Sequence, residues 1–312
     1  MRELRVQIAI ALITWTTWIL FVGLEGFEII KQHFTIALTM LLGSFVAGST
    51  SVGGGAVAFP IFTKVLSIDS ATALFFSLAI QSIGMTAAAI MIFLTKIPIC
   101  WRTIRYSLIA GGLGLLSSFF FIRLQISGAD IKYLFSCFSF IVALGLIWMR
   151  FNYEQIAHTE KPQPGRIALT LSCFIGGILS GIIGTGIDFI LFAMMIFIWH
   201  YDFKKAIATS VVVMAFNAII GFVAILTTTD YFSGEVVSYW LAAVPIVVIG
   251  APLGAVACRY IHKNIMVYFL LVLISIDIFS TVLIIGFKTH YILLILACIT
   301  AFLIYKRRLE KQ

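Results

Sequence analysis

The sequence contains little charge and no long polar segment. Charged residues make up 11% of the 312 residues, and hydrophobic residues make up 62%. A soluble domain has roughly 25% charged and 45–50% apolar residues, so this composition excludes a soluble domain as the main body of the chain. Several apolar runs reach the roughly 20 residues that a helix needs to cross a bilayer. The sequence therefore predicts an all-α polytopic membrane protein without a soluble domain.

Motifs for catalysis and cofactor binding are also missing. The five cysteines are scattered and form no C-x-x-C pair. No H-E-x-x-H, G-x-S-x-G or Walker-type pattern occurs, and the histidines fall in predicted loops or at span ends. The net charge of +8 also lies in predicted loops, where basic residues orient a membrane protein. We therefore predict neither an enzyme nor a bound metal or cofactor, and no nucleic-acid partner.

Apolar runs of two kinds follow one another along the chain. About eight are predicted to cross the membrane completely, near 5–24, 70–95, 103–122, 130–150, 204–229, 237–259, 264–286 and 290–305. Two further segments, 34–66 and 167–199, are divided by glycines. The piece that follows the first division is too short to cross, because a helix rises by only about 1.5 Å per residue. Each divided segment is therefore predicted to form a re-entrant hairpin.

The distribution of basic residues agrees with this topology. With the N-terminus inside, 16 lysines and arginines fall on the cytoplasmic side, as the positive-inside rule requires. The remaining five fall outside and are Lys31, Lys64, Arg123, Lys132 and Lys288. The bias would weaken if each divided segment crossed once. We therefore predict a multi-pass protein of the cell (inner) membrane with both termini in the cytoplasm.

An internal repeat appears when the chain is shifted so that Gly43 falls on Gly176. With this repeat offset, Gly48 and Gly53 fall on Gly181 and Gly186, and Asp69, Ala73 and Ser77 fall on Asp202, Ala206 and Ser210. Each half contains a hairpin and three spans, so the second half enters from the opposite face, as in many secondary transporters. The predicted units are a first span (1–33), repeat 1 (34–150), a cytoplasmic linker (151–166), repeat 2 (167–288) and a last span with a basic tail (289–312).

Two aspartates directly precede long apolar helices in the repeat. Asp69 and Asp202 are predicted to cap these helices, because an aspartate there accepts hydrogen bonds from the first amides. Ser77 and Ser210 lie two turns further along and either permit close packing or face a cavity. On the same faces, Gln81 and Asn217 are stronger candidates to line a pore, since an amide side chain in mid-membrane needs partners.

The glycine divisions, "STSVGGGAVAFP" and "GIIGTGIDF", are candidates for a binding site. Irregular backbone at membrane depth is tolerated where it lines a cavity, and a helix that starts there presents free amides to an anion. Close helix packing through glycine is the alternative. The candidate site residues are Ser49, Thr50, Ser51, Gly53, Gly54, Gly55, Gly184, Thr185 and Gly186, with Ser77, Gln81, Ser210 and Asn217 from the helices that follow.

These segments carry a resemblance to a known family. "GSFVAGSTSVGGGAVAFPIFTKVLSIDSATALFFSLAI" and its echo "GGILSGIIGTGIDFILFAMMIFIWHYDFKKAIATSVVVM" resemble the TauE/SafE family of sulfite and organosulfur exporters over roughly 34–286. The resemblance implies two homologous halves and transport of a small sulfur-containing anion such as sulfite or sulfoacetate. It assigns the glycine motifs to Gly48, Gly53, Gly54 and Gly55, and to Gly181, Gly184 and Gly186. Ile187 and Asp188 depart from the second motif.

Two acidic residues fall inside apolar segments. Asp188 and Asp277 are candidates for ion coupling, because an ionised carboxylate in mid-membrane is costly and is functional by default. Burial in an apolar medium favours the neutral form of a carboxyl group, which suits a proton carrier. Alternatives are a helix cap or sodium ligand for Asp188, and a hydrogen-bonded structural acid at either position.

The function predicted from the sequence is secondary transport of a small sulfur-containing anion. We expect export by alternating access around the two hairpins, with coupling to H⁺ or Na⁺. The alternatives are a passive anion channel and an uptake permease for another small anion such as thiosulfate. An intramembrane enzyme would need a nucleophile–base pair or a metal cluster, which the histidine and cysteine positions do not offer. The partners expected are the anion, the coupling ion and membrane lipid; the sequence leaves the oligomeric state open.

Overall fold

A computed structural model describes residues 2–23, 25–50, 55–122, 126–157, 165–227 and 232–286. These residues form helices and short connections, and no strand occurs among them. The all-α prediction is therefore confirmed for the part of the chain that is described.

Thirteen α-helices lie within the described ranges. They are α1 (Arg2–Val22), α2 (Glu25–Gln32), α3 (Phe34–Ser49), α4 (Gly55–Pro60), α5 (Ser70–Leu94), α6 (Trp101–Tyr106), α7 (Gly112–Ser117), α8 (Gly128–Ala157), α9 (Arg166–Ile183), α10 (Ile187–Ala193), α11 (Phe203–Thr227), α12 (Gly234–Tyr260) and α13 (Lys263–Ile285). Four π-helical turns continue the shorter helices, at Ile61–Val65, Ser107–Gly111, Ser118–Ile122 and Met194–Ile198. Through two of these turns, α6 and α7 form one apolar rod over Trp101–Phe121.

Eight helical stretches of the described chain are long and apolar enough to cross a membrane. Seven coincide with predicted spans, whereas the predicted span at 290–305 lies outside the described residues. The eighth is α9, which we had assigned to the second hairpin. The re-entrant path of the two divided segments stays a prediction, because length and composition alone define these stretches.

Helix α2 is a feature that the sequence interpretation missed. The predicted first span ends near residue 24 and the first divided segment begins at residue 34. Between them lies an eight-residue helix with acidic residues in its first turn and Lys31 in its last. This charge order suits the helix dipole. Helices α2 and α3 meet at an angle of 81°, so the chain turns sharply before the first divided segment.

A proline and two tryptophans fix helix α1 against α12. Pro245 lies inside α12 and has no N–H, so the carbonyl of Leu241 lacks its usual helical donor. The indole N–H of Trp18 donates to this carbonyl at 2.9 Å, and Trp15 donates to the carbonyl of Pro245 at 2.8 Å. The two tryptophans therefore give a largely exposed helix two directed contacts to the bundle.

The repeat offset recurs in the structure. When residue numbers are shifted by this offset, both ends of helix α5 coincide with those of α11. The π-helical turn before α5 likewise coincides with the turn before α11. Ser67 and His200, which the same offset pairs, have positive φ angles of 55° and 52°. The two halves therefore share local geometry as well as sequence pattern. The unit boundaries and the opposite orientation of the halves stay predictions.

Both predicted aspartate caps are confirmed. Asp69 Oδ1 accepts from the amide of Ala71 at 2.7 Å, and Asp202 Oδ1 accepts from the amides of Lys204 and Lys205 at 3.0 and 3.1 Å. Each carboxylate satisfies amides that have no partner within the helix. The caps start the two central helices, α5 and α11, which pack against each other.

The two halves are interlocked by glycine contacts. Helix α3 packs on α12 and α9 packs on the α6–α7 rod, so the first helix of each divided segment rests on the other half. A Cβ atom built on Gly48 would lie 1.9 Å from the carbonyl oxygen of Ala251, and one built on Gly177 would lie 2.0 Å from that of Gly111. For Gly48 the packing interpretation therefore holds. It also holds for Gly181, where a Cβ would lie 2.0 Å from Ser118 Oγ.

Helices extend into both ends of the predicted linker at 151–166, and the bounds of the linker stay a prediction. Helix α8 continues to Ala157 and α9 begins at Arg166, so only the residues between them can form the connection. Most of that connection, 158–164, lies outside the described residues.

Candidate functional site

Both glycine divisions interrupt a helix, as predicted. Helix α3 ends at Ser49, Thr50 is extended with φ −135° and ψ 164°, and a new helix starts at Gly55. Ser51, Gly53 and Gly54 lie outside the described residues, so their predicted role is not addressed by the structure. In the second half, α9 ends at Ile183 and α10 starts at Ile187.

The second division, residues 184–186, has a conformation that requires glycine. Gly184 has φ +88° and Gly186 has φ +151°, values that residues with a side chain rarely adopt. A Cβ on Gly184 would also lie 2.9 Å from Cβ of Ser77. The positive φ angle and the close approach of Ser77 therefore both account for glycine at position 184.

Protein groups satisfy the first amides of α10. Asp188, which is 1% exposed, accepts hydrogen bonds from the amide of Gly186 at 3.0 Å and from Thr185 Oγ1 at 3.1 Å. The amide of Ile187 donates to Ser180 Oγ at 3.0 Å. We had expected these amides to be free to bind an anion, and this expectation is corrected. Asp188 takes the position expected for the anion, in the capping role that was its alternative. An aspartate at this end of a helix also faces the positive end of the dipole.

Two predicted residues of α5 meet the second division across the interface of the halves. The amide of Gln81 donates to the backbone carbonyl of Gly184 at 2.9 Å and to Ser77 Oγ at 2.6 Å. Ser77 Oγ in turn donates to the same Gly184 carbonyl at 3.3 Å. The irregular backbone at Gly184 thus has side-chain donors from the first half, which satisfies a carbonyl left free by the end of α9.

Two buried amide side chains retain unused hydrogen-bonding capacity. Within the described part of the chain, Gln81 Oε1 and both polar atoms of Asn217 have no partner, although these residues are 5% and 2% exposed. Asn217 lies near Ile187, which starts α10 at the other end of the division, because both residues are neighbours of Gly111. A Cβ atom built on Gly111 would be 3.6 Å from Asn217 Oδ1 and 2.4 Å from Cδ1 of Ile187. An unsatisfied buried polar group costs about 1–3 kcal/mol. Such groups lie on both sides of the division.

The hydroxyls of three other predicted residues bond to their own helices. Ser49 and Thr50 donate to the carbonyl of Val46 at 3.3 and 2.8 Å, and Ser210 donates to that of Ile207 at 2.8 Å. Hydroxyls commonly satisfy themselves in this way inside helices. These bonds do not join the three residues to the group around Gly184.

A buried ion pair is the functional feature that sequence analysis missed. The sequence analysis counted Lys64 among the outside basic residues and assigned it no partner, whereas the structure places it in the π-helical turn after α4, where it is 6% exposed. Its ammonium is paired with the carboxylate of Asp277 on α13. A lysine within the apolar stretch 56–66 was the available signal, because a cation at that depth requires a partner. Asp277 is therefore a paired acid, in line with the structural alternative.

Two clefts open near the divided segments. One, of about 390 Å³, is lined by residues around the α5 cap and the start of α8, including Lys132. The other, of about 360 Å³, lies between the α6–α7 rod and α9 and includes Arg105, Tyr106 and Thr170. Each cleft therefore has a basic side chain in its wall. No cluster of three or more metal-ligating side chains occurs among the residues that the structure describes.

Comparison with known proteins supports the family resemblance. The family model described as Sulfite exporter TauE/SafE matches residues 36–279, which include both glycine divisions. Neither the comparison with curated proteins nor that with solved structures finds a match. Since the family match covers more than half of the chain, the chain belongs to the TauE/SafE sulfite exporter family of membrane transporters.

Proposed function

We propose that this chain is a secondary transporter that exports a small sulfur-containing anion, such as sulfite or sulfoacetate. In this proposal it lies in the inner membrane with both termini in the cytoplasm. The anion binds beside the second division, between the two halves of the chain. Alternating access arises from movement of the divided segments relative to the helices that support them.

The observation that carries this proposal is the pair of unsatisfied amides at the division. Gln81 Oε1 on α5 and the amide of Asn217 on α11 are buried without partners in the described structure. Asn217 offers two N–H donors and one acceptor, which suits an oxyanion that also carries a proton, such as hydrogen sulfite. Because the two helices belong to different halves, a ligand held by both would respond to their relative movement.

Asp188 supports coupling to protons. Its carboxylate lies at the division, bonded to the amide of Gly186, and is almost completely buried. An anion would be repelled by an ionised carboxylate at this place, and a protonated one would remove the repulsion. We assign proton coupling to Asp188 on this ground.

The two clefts supply routes for the anion. Under the predicted topology, the cleft with Lys132 opens to the outside and the cleft with Arg105 opens to the cytoplasm. Arg105 in the wall of the cytoplasmic cleft would raise the local concentration of an anion, whereas Lys132 in the other wall is opposed by the carboxylate of Asp69. Access from either side would then alternate at the divided segments between the clefts.

Flux measurements in liposomes test the proposed function. The purified protein is reconstituted, the vesicles are loaded with sulfite, sulfoacetate, thiosulfate or a simple carboxylate, and release is followed with and without an imposed pH gradient. We expect saturable flux of a sulfur oxyanion that a pH gradient drives against its concentration gradient and that a protonophore abolishes. Absence of flux for every sulfur anion would overturn the proposal.

A passive channel on the same architecture gives a different result. It would conduct without saturation and would never accumulate the anion against its gradient. Ser82→Ala on α5 is the control variant for the flux measurements. The hydroxyl of Ser82 donates to the carbonyl of Ala79 in its own helix at 2.7 Å, so this variant should retain full flux.

A further inference from the structure

The ammonium of Lys64 is enclosed by oxygen atoms of helix α13. It is bonded to Asp277 Oδ1, to the backbone carbonyl of Asp277 at 2.9 Å, to Ser280 Oγ at 3.2 Å and to Thr281 Oγ1 at 2.6 Å. The side chains of Lys64 and Asp277 are 0% and 2% exposed. Four oxygens around one buried cation, including one carboxylate and one carbonyl, form a coordination cage rather than a simple pair.

The cage is completed from a second helix. Ser136 on α8 donates to Asp277 Oδ2 at 2.8 Å and is hydrogen-bonded to Thr281 Oγ1. Both carboxylate oxygens of Asp277 are thus engaged, one by the ammonium and one by a hydroxyl. This second set of contacts holds the cage oxygens in place independently of Lys64.

The fold does not require a charge at this place. The repeat offset pairs Lys64 with Phe197, which occupies the same place in the second π-helical turn. A Cβ built on Gly145 of α8 would lie 2.3 Å from Cε2 of Phe197, so this ring is seated directly against α8. In the second half the π-helical turn packs through the apolar ring of Phe197. In the first half the turn packs through the ammonium of Lys64, which is surrounded by oxygens.

The donor set matches the chemistry of a small monovalent cation. Hard cations take carboxylate, carbonyl and hydroxyl oxygens as ligands. A single carboxylate balances a single positive charge. Lys132 of α8, whose ammonium donates to the carbonyl of Thr63 at 2.8 Å, adds a further positive charge nearby, which disfavours a divalent ion.

We propose that Asp277, Ser280 and Thr281, held in place by Ser136, form a monovalent-cation site in which the ammonium of Lys64 takes the place of a sodium ion. The cation is thus part of the chain and moves with the first divided segment. The existence of the site does not depend on transport. Its consequence, that sodium plays no part in coupling at Asp277, rests on the proposed function.

Sodium binding to a variant that lacks the ammonium tests the proposal without any transport assay. Lys64→Ala opens the cage, and thermal unfolding of the purified protein is compared in sodium, potassium and choline chloride at equal ionic strength. We expect sodium to raise its Tm by about 5 °C over choline, as binding to the folded state alone predicts. Lys64→Met fills the space with an apolar chain and should not respond. The double variant Lys64→Ala/Asp277→Ala should not respond either.

Every outcome bears on the cage. A folded Lys64→Ala protein whose Tm is the same in all three salts overturns the proposal. So does a Lys64→Ala protein that fails to fold in sodium while Lys64→Met folds, whereas folding only in sodium supports it. The wild-type protein provides a further test, and we expect its Tm to be equal in the three salts. A sodium-specific rise in this Tm would show that sodium displaces Lys64 and would refute the assignment.

Discussion

The side-chain amide of Gln81 donates a hydrogen bond of 2.9 Å to the backbone carbonyl of Gly184. This contact joins a helix of the first half to the helix break of the second half, 103 residues further along the chain. Gly184 has a positive φ angle and forms the left-handed cap that ends α9. The conformation of the second break is therefore held from the first half, and displacement of α5 would be felt directly at the break.

Replacement of Gln81 by leucine should reduce both flux and stability. The Gly184 carbonyl would keep only the longer bond from Ser77 Oγ, and an amide assigned to the anion site would be lost. We expect at least a tenfold lower sulfite flux, and a free energy of unfolding that is lower by about 1–2 kcal/mol. Liposome flux and thermal unfolding measure the two effects. Wild-type flux in this variant would remove Gln81 from the site.

Replacement of Asn217 by leucine should separate flux from stability. Neither polar atom of Asn217 has a partner among the described residues, so the substitution removes a desolvation penalty instead of a bond. We expect an unchanged or higher free energy of unfolding, by up to about 1 kcal/mol, together with at least a tenfold loss of flux. A large loss of stability would mean that Asn217 holds the fold. Gln81→Leu is the matched comparison, since its amide does make bonds.

The sequence was sufficient for features that depend on local pattern. Apolar runs identified seven spans, and the aspartates at 69 and 202 identified helix caps because capping involves only neighbouring amides. The repeat offset was visible because glycine and aspartate positions are tied to backbone geometry. The interruption of α9 followed from glycines that adopt positive φ angles.

Features that depend on distant contacts were not predictable in the same way. The partner of Lys64 lies 213 positions away on α13, so no local pattern links it to Asp277. The charge count instead placed Lys64 among the outside basic residues, because the positive-inside rule considers the side on which a lysine lies and not its partner. The occupation of the α10 amides by Asp188 and Ser180 also depended on how α9 and α10 meet. Sequence pattern identified the break but not what fills it.

Alanine at Gly48 should destabilise the protein more than alanine at Gly84. A Cβ on Gly48 would lie 1.9 Å from the backbone oxygen of Ala251, and backbone cannot move aside as a flexible side chain can. We expect a loss of about 2–3 kcal/mol in the free energy of unfolding. At Gly84 the nearest atom, Cβ of Val247, would be 3.3 Å away, and the gain in helix propensity offsets this mild crowding. Thermal unfolding that ranks the two variants equally would contradict the packing of α3 on α12.

Asparagine at Asp188 tests proton coupling against a purely structural cap. An asparagine keeps one oxygen for the amide of Gly186 and for Thr185 Oγ1, so the start of α10 should survive with a loss of about 1–2 kcal/mol. It cannot take up or release a proton, so we expect flux that no longer varies with pH and that a pH gradient no longer drives uphill. Asp202→Asn is the control, because it alters an exposed aspartate directly before a helix, where asparagine caps as well as aspartate. If Asp188→Asn retained the pH profile of the wild type, the carboxylate would be a cap alone and the coupling proton would have to move through another group.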